Sequence, residues 1–169
     1  MKQILVTGGS GLVGKHLQEI LPNATYLSSK DCDLTDIKMV RWMISSYTPD
    51  IIIHLAAKVG GIQDNIKYPA DYFDDNVLMN TNILKVCKEY NVKRFVGILS
   101  TCIYPNTVEN YPMSEEDLFI GPPPPTNFSY AFAKRCLAVQ IDAYNTLYGT
   151  QWNYLIPCNL YSEYDNFEH

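Results

Sequence analysis

Ile4-Leu5-Val6-Thr7-Gly8-Gly9-Ser10-Gly11-Leu12-Val13-Gly14 decides the fold. Ile4-Leu5-Val6 is a short apolar run stopped by glycines, the pattern of a strand buried in a parallel sheet. Leu12, Val13, Leu17, Ile20 and Leu21 then recur at helical spacing until Pro22-Asn23 ends the helix. Gly8, Gly11 and Gly14 stand three apart between strand and helix. The early glycines permit backbone conformations that side chains obstruct, and Gly14 permits close packing of helix on strand. The helix N-terminus offers unpaired N–H groups and positive potential to a pyrophosphate. A glycine triplet alone is often only a turn; between a strand and a helix it predicts a dinucleotide site.

The chain continues in the same alternation. Thr25-Tyr26-Leu27 reads as a strand, Asp36 to Tyr47 as a helix, and Ile51-Ile52-Ile53 as a strand too apolar for a solvated face. A glycine-bearing loop around Val59-Gly60-Gly61 leads to a long helix, Asp71 to Tyr90, and to a strand, Phe95 to Leu99. An irregular stretch runs to about Asn127; its Gly121-Pro122-Pro123-Pro124-Pro125 cannot lie inside a helix, and a loop of that length is usually functional. Ser129 to Leu147 reads as a helix stopped by Gly149, and Trp152 to Ile156 as a last strand. Alternation of this kind predicts an α/β fold, a doubly wound parallel sheet of Rossmann type with right-handed crossovers, over residues 1–169. Ligands in such sheets bind at the carboxyl ends of the strands.

At 169 residues a single domain is expected. The net charge of −5 argues against a general nucleic-acid binder, and no apolar run is long enough to span a membrane. The N-terminus enters the first strand without the pattern of a secretory leader. Five cysteines, Cys32, Cys87, Cys102, Cys136 and Cys158, form no C-x-x-C pair, which suggests free thiols in a reducing, cytoplasmic setting. His16, His54 and His169 form no metal-ligand pattern, so no metal is expected.

Two features bear on chemistry. The end of the second strand reads Ser28-Ser29-Lys30, where NAD sites usually carry an acid for the ribose 2′-hydroxyl. Two hydroxyls and an ammonium suit a 2′-phosphate, so Ser29 and Lys30 point to NADP(H) over NAD, with Asp33 placed for an adenine contact; the plain alternative makes Lys30 a surface lysine. Tyr130-Ala-Phe-Ala-Lys134 puts a phenol and an ammonium on one face of a helix. The ammonium is expected to lower the phenol's pKa, making Tyr130 a candidate acid/base. Ser100, at the end of the strand Phe95 to Leu99, could bond the reacting oxygen.

These strings resemble the extended short-chain dehydrogenase/reductase family. Within it they are most similar to the GDP-L-fucose synthase branch, the 3,5-epimerase-4-reductases of GDP-4-keto-6-deoxymannose. The resemblance rests on Val6 to Gly14, Ser28 to Asp31, His54-Leu55-Ala56-Ala57-Lys58-Val59-Gly60-Gly61 and Asn65 to Tyr68. It also rests on Ser100-Thr101-Cys102-Ile103-Tyr104-Pro105, Tyr130 to Lys134 and Asp165-Asn166-Phe167. It implies Ser100, Tyr130 and Lys134 as the reductase triad and Cys102 as one acid/base of the epimerisation. It implies NADP(H) held by Gly8, Ser10, Gly11, Leu12, Val13, Gly14, Ser29, Lys30, Asp33, Leu55, Ala56, Ala57, Tyr130 and Lys134. A GDP-sugar substrate and a homodimer joined through the two long helices follow from the same likeness.

Departures are also visible. Ser162-Glu163 stands where the family has Gly-Pro, and His169 comes too soon to be the family's second epimerisation group. Members of the branch are about twice this long, so the C-terminal substrate portion is expected to be missing and turnover by this chain impaired. Other nucleotide-sugar epimerases, reductases or dehydratases, and a non-catalytic NADP-binding module, stand as alternatives.

Overall fold

The computed structural model describes residues 2–108 and 111–165. Asn166, Phe167 and His169 therefore lie outside the described residues. Five parallel strands, β1 (Ile4–Thr7), β2 (Thr25–Leu27), β3 (Ile51–His54), β4 (Arg94–Ile98) and β5 (Asn153–Leu155), make one sheet in the order β2-β1-β3-β4-β5. The winding reverses between β1 and β3, whose register pairs Leu5 with Ile52 and Thr7 with His54. That reversal opens the crevice in which doubly wound sheets bind their ligands.

The helices are α1 (Leu12–Ile20), α2 (Ile37–Tyr47), α3 (Ile62–Lys67), α4 (Pro69–Glu89) and α5 (Phe128–Tyr148). Right-handed crossovers put α1 on one face and α2, α4 and α5 on the other, and α2 packs on α4 and α4 on α5. Local chemistry fixes their ends. The Asp36 carboxylate accepts from Lys38 N–H at 2.8 Å and caps α2. Pro69 sits in the first turn of α4, where no N–H is needed. Gly149, at φ 66°, closes α5 with its N–H on the Asn145 carbonyl.

The core lies between the sheet and the α2–α4–α5 layer. Phe95 and Trp152 are fully buried with ring centroids 5.7 Å apart, and Trp152 Nε1–H donates to the Val92 carbonyl at 3.2 Å. The opposite face of the central strands is less covered. Ile51, Ile53, Val96 and Ile98 are only half-buried, unlike the uniform burial their apolar character suggests.

Element boundaries fall within one or two residues of the expectation, with two differences. Helix α3 fills part of the loop after Gly61. The stretch from 99 to 127 is not plain loop; it carries single 3₁₀ turns at Thr101–Ile103, Glu115–Phe119 and Pro125–Asn127. Beyond β5, Ser162 takes part in a turn, its carbonyl accepting from Asp165 N–H at 3.1 Å. Tyr164 returns to α1, its ring 5.1 Å from that of His16.

Candidate active site at the carboxyl end of the sheet

The glycine turn forms because its backbone must pass close to other backbone. Gly8 lies at φ 71°, and a Cβ there would come within 2.7 Å of Ala56 N. A Cβ on Gly14 would come within 2.5 Å of the Gly9 carbonyl oxygen. The turn is tied down by Gly11 N–H to the Gly8 carbonyl at 3.1 Å and by Gly9 N–H to the Leu27 carbonyl at 2.9 Å. Gly11 is the N-cap of α1, with no side-chain cap and no acid in the first turn. The first N–H groups of α1 therefore keep their capacity for an anion.

A cleft of about 650 Å³ opens beside this turn. Of the expected cofactor residues, Gly8, Ser10, Gly11, Leu12, Val13, Gly14, Ser29, Asp33, Leu55, Ala56 and Ala57 all line it. Lys30, Tyr130 and Lys134 do not: Lys30 is exposed beyond the wall, and Tyr130 and Lys134 are buried on α5. The Ser28 hydroxyl is also committed elsewhere, donating to Asp31 at 2.6 Å and holding that carboxyl below its usual range. Asp33 keeps its place on the wall while its Oδ1 accepts from Thr35 N–H and Oγ1–H at 2.9 and 2.7 Å.

The wall from Ala56 to Gly61 is tied to α4 by Asn76, which the sequence reading did not single out, and to α3 by Asn65. Asn76 accepts from Lys58 N–H at 2.9 Å and donates to the Lys58 carbonyl at 3.0 Å. Asn65 donates to the carbonyls of Gly60 and Gly61, each at 3.0 Å. Lys58 pairs with Asp75 at 2.6 Å on the same wall. In the sequence Asn76 and Asn80 recur four apart on the helix, but only the structure shows that they are buried.

The expected reactive groups gather just past Ile98, which itself lines the cleft. Ser100 leaves β4 in extended conformation, and its Oγ lies 2.8 Å from Cys102 Sγ. From α5, Lys134 Nζ donates to the Ile98 carbonyl at 2.7 Å and lies 5.8 Å from the centroid of the Tyr130 ring. Tyr130 and Lys134 are both buried. Burial pushes the Tyr130 phenol above its ordinary range, with a further push from Cys102. Lys134 is driven by burial from 10.5 down to about 8. The expected lowering of the tyrosine pKa is thus wrong for this structure. Spacing of four put the ammonium on the right face, but it reaches for a backbone carbonyl, and burial dominates the phenol's shift. A phenol that holds its proton at neutral pH remains a proton donor.

Residues 4–169 match the model of the NAD dependent epimerase/dehydratase family. The chain belongs to this family. Among relatives it is 41% identical over 173 residues to the GDP-L-fucose synthase of Dictyostelium discoideum, covering 98% of this chain and 54% of that protein. It is 38% identical to a probable GDP-L-fucose synthase of Drosophila melanogaster, covering 99% of this chain and 54% of the relative. Among solved structures it is similar to a GDP-L-fucose synthetase from Naegleria fowleri bound to NADP, with TM-score 0.87 and 39% identity over 98% of this chain and 56% of that one. The chain spans about half the length of the curated relatives it matches.

For a member of the NAD dependent epimerase/dehydratase family, the donor set suits a dinucleotide. An uncapped helix N-terminus faces a glycine turn in which a Cβ on Gly8 or Gly14 would clash with backbone, and a largely apolar cleft continues from it toward Ile98. Among the described residues no group of His, Cys, Asp or Glu could hold a metal ion. No described helix is long and apolar enough to cross a membrane.

Proposed function

We propose that the chain is the NADP(H)-binding, proton-transferring half of an epimerase-reductase that converts GDP-4-keto-6-deoxymannose to GDP-L-fucose. The observation that carries this is the approach of Ser100 to Cys102, 2.8 Å apart, at the end of β4, with Tyr130 and Lys134 beside them on α5. A bound NADPH supplies the hydride for the C4 ketone. Tyr130, still carrying its proton, supplies the proton to the C4 oxygen, and the Ser100 hydroxyl bonds that oxygen. Lys134 sets the charge around the phenol from its seat on the Ile98 carbonyl. Cys102 carries a proton to or from a carbon next to the ketone, where acidity is already raised.

Ser29 on the cleft wall supports NADPH over NADH. Phe73, Leu78, Val139 and Leu147 are exposed apolar residues on α4 and α5, which supports a homodimer through those helices. Free cysteines support a reducing, cytoplasmic setting.

Binding is tested first, on this chain, by fluorescence titration; NADPH is expected to bind more tightly than NADH. Chemistry is tested in D₂O with GDP-4-keto-6-deoxymannose, on this chain fused to the C-terminal half of the Dictyostelium relative. Deuterium at C3 and C5 with a new C4 alcohol supports the reading. Reduction at C4 with no deuterium at either carbon, or deuterium that survives Cys102→Ala unchanged, overturns it.

A further inference from the structure

Arg135 follows Lys134 on α5, yet it is 5% exposed, an unusual place for a guanidinium. Its Nε–H donates to the Ile103 carbonyl at 2.6 Å. Its guanidinium carbon lies 5.2 Å from the Phe132 ring centroid and 5.9 Å from that of Phe119. Phe119 belongs to the 3₁₀ turn Glu115–Phe119 of the long excursion, so the arginine is held between that excursion and α5.

Two neighbouring residues of one helix thus grip two carbonyls of one short segment. Lys134 holds Ile98 at 2.7 Å and Arg135 holds Ile103 at 2.6 Å. Ser100 and Cys102 lie between those two points. The segment between them contains a single 3₁₀ turn, Thr101–Ile103, with few bonds of its own. A short turn of this kind keeps its geometry only when outside contacts fix it.

We infer that Arg135 is a positioning residue, which with Lys134 staples the Ile98–Ile103 segment to α5 and so sets where Ser100 and Cys102 stand relative to Tyr130. The guanidinium suits this task better than an ammonium, because its Nε–H bonds a carbonyl while its planar faces pack on aromatic rings. The inference rests on the proposed function only for its catalytic consequence; the clamp itself is a property of this chain and is tested without turnover.

The probe is iodoacetamide, with labelling of each cysteine followed by mass spectrometry on the whole chain. Cys102 is half-buried and Cys32 and Cys87 are buried, so the last two report global loosening. In Arg135→Met, Cys102 labelling is expected to rise about tenfold while Cys32 and Cys87 keep their wild-type rates, because only the local turn has been freed. Arg135→Gln, whose Nε2–H stands where the arginine Nε–H does, is expected to restore most of the protection. Arg135→Leu, which carries no donor, is read the same way as Met in case the Met variant does not fold. Cys102 labelling within twofold of wild type, or a rise matched at Cys32 and Cys87, overturns the clamp. So does a Gln variant as reactive as Met. If the clamp is upheld and the deuterium test fails, the proposed function falls and the clamp stands.

Discussion

Lys134 Nζ donates to the Ile98 carbonyl at 2.7 Å, so the ammonium beside Tyr130 is anchored to the last residue of β4. The bond ties α5 to the sheet two residues before Ser100, but burial makes the charge costly, lowering the group from 10.5 to about 8.

The consequence is a pH dependence of stability. Between about pH 8 and 10.5 the unfolded chain carries a proton at this site that the folded chain has released. Stability therefore rises with pH across that window, and below it the cost of burying the charge is present in full. Lys134→Met removes the titration. Urea midpoints of wild type and variant are expected to diverge in favour of wild type by about 2–3 kcal/mol from pH 7.5 to 10. A difference that stays flat across this range counts against the buried, depressed lysine.

His54 predicts the opposite end of the scale. Its Nδ1 lies 2.8 Å from Thr7 Oγ1 and its Nε2 3.0 Å from Asn80 Oδ1, bridging β1, β3 and α4 in the core. Burial lowers its pKa from 6.5 to about 4, against the hydrogen bond to Asn80. Above 6.5 both states are neutral and the contribution is complete. As pH falls toward 4 the unfolded chain gains a proton that the folded chain refuses, and up to roughly 3 kcal/mol is lost. In His54→Gln, denaturation at pH 7 and at pH 4.5 is expected to show a smaller loss than wild type. An equal loss would place the acid sensitivity elsewhere.

Much of this was legible in the sequence, for reasons that differ by element. The apolar run Ile4-Leu5-Val6 and the glycines behind it specify β1 and its turn, because periodicity and backbone freedom are local properties. Helix α3 was not legible: Gly60-Gly61 before it and Pro69 after it read as loop, and its six residues are too few to show a period. Ser29 and Lys30 looked equivalent as partners for a phosphate, but only Ser29 faces the cleft. Direction at a strand end depends on the turn that follows, here fixed by Asp31 bonding back to Ser28. Nothing in the sequence singles out Arg135, and the sign of the Tyr130 shift needed the burial that only packing supplies.

Gly14→Ala tests the tight approach of α1 to the glycine turn. The new Cβ would stand 2.5 Å from the Gly9 carbonyl oxygen and 2.7 Å from that of Gly8, both backbone atoms with little room to move. Overpacking of this kind costs about 1–3 kcal/mol and displaces the turn. NADPH affinity, read by fluorescence titration, is expected to fall about tenfold or more. Gly121→Ala is the control, since its Cβ would meet only Pro105 side-chain atoms, the nearest at 3.4 Å. Equal affinities for the two variants would remove the glycine turn from the cofactor site.

Ser29→Asp tests which group reads the 2′-position of the cofactor. Ser29 lines the cleft at the end of β2, while the neighbouring Ser28 hydroxyl is spent on Asp31 and Lys30 stands exposed off the wall. A carboxylate at 29 would repel a 2′-phosphate at short range and accept a hydrogen bond from a plain ribose hydroxyl. NADPH binding is expected to weaken about tenfold to a hundredfold, with NADH binding unchanged or tighter. Lys30→Ala, acting from solvent, is expected to change NADPH affinity by less than about threefold at physiological salt. Titration of both cofactors against each variant checks this. If Lys30→Ala has the larger effect, the lysine swings over the cleft when the cofactor binds, and Ser29 is not the discriminating residue.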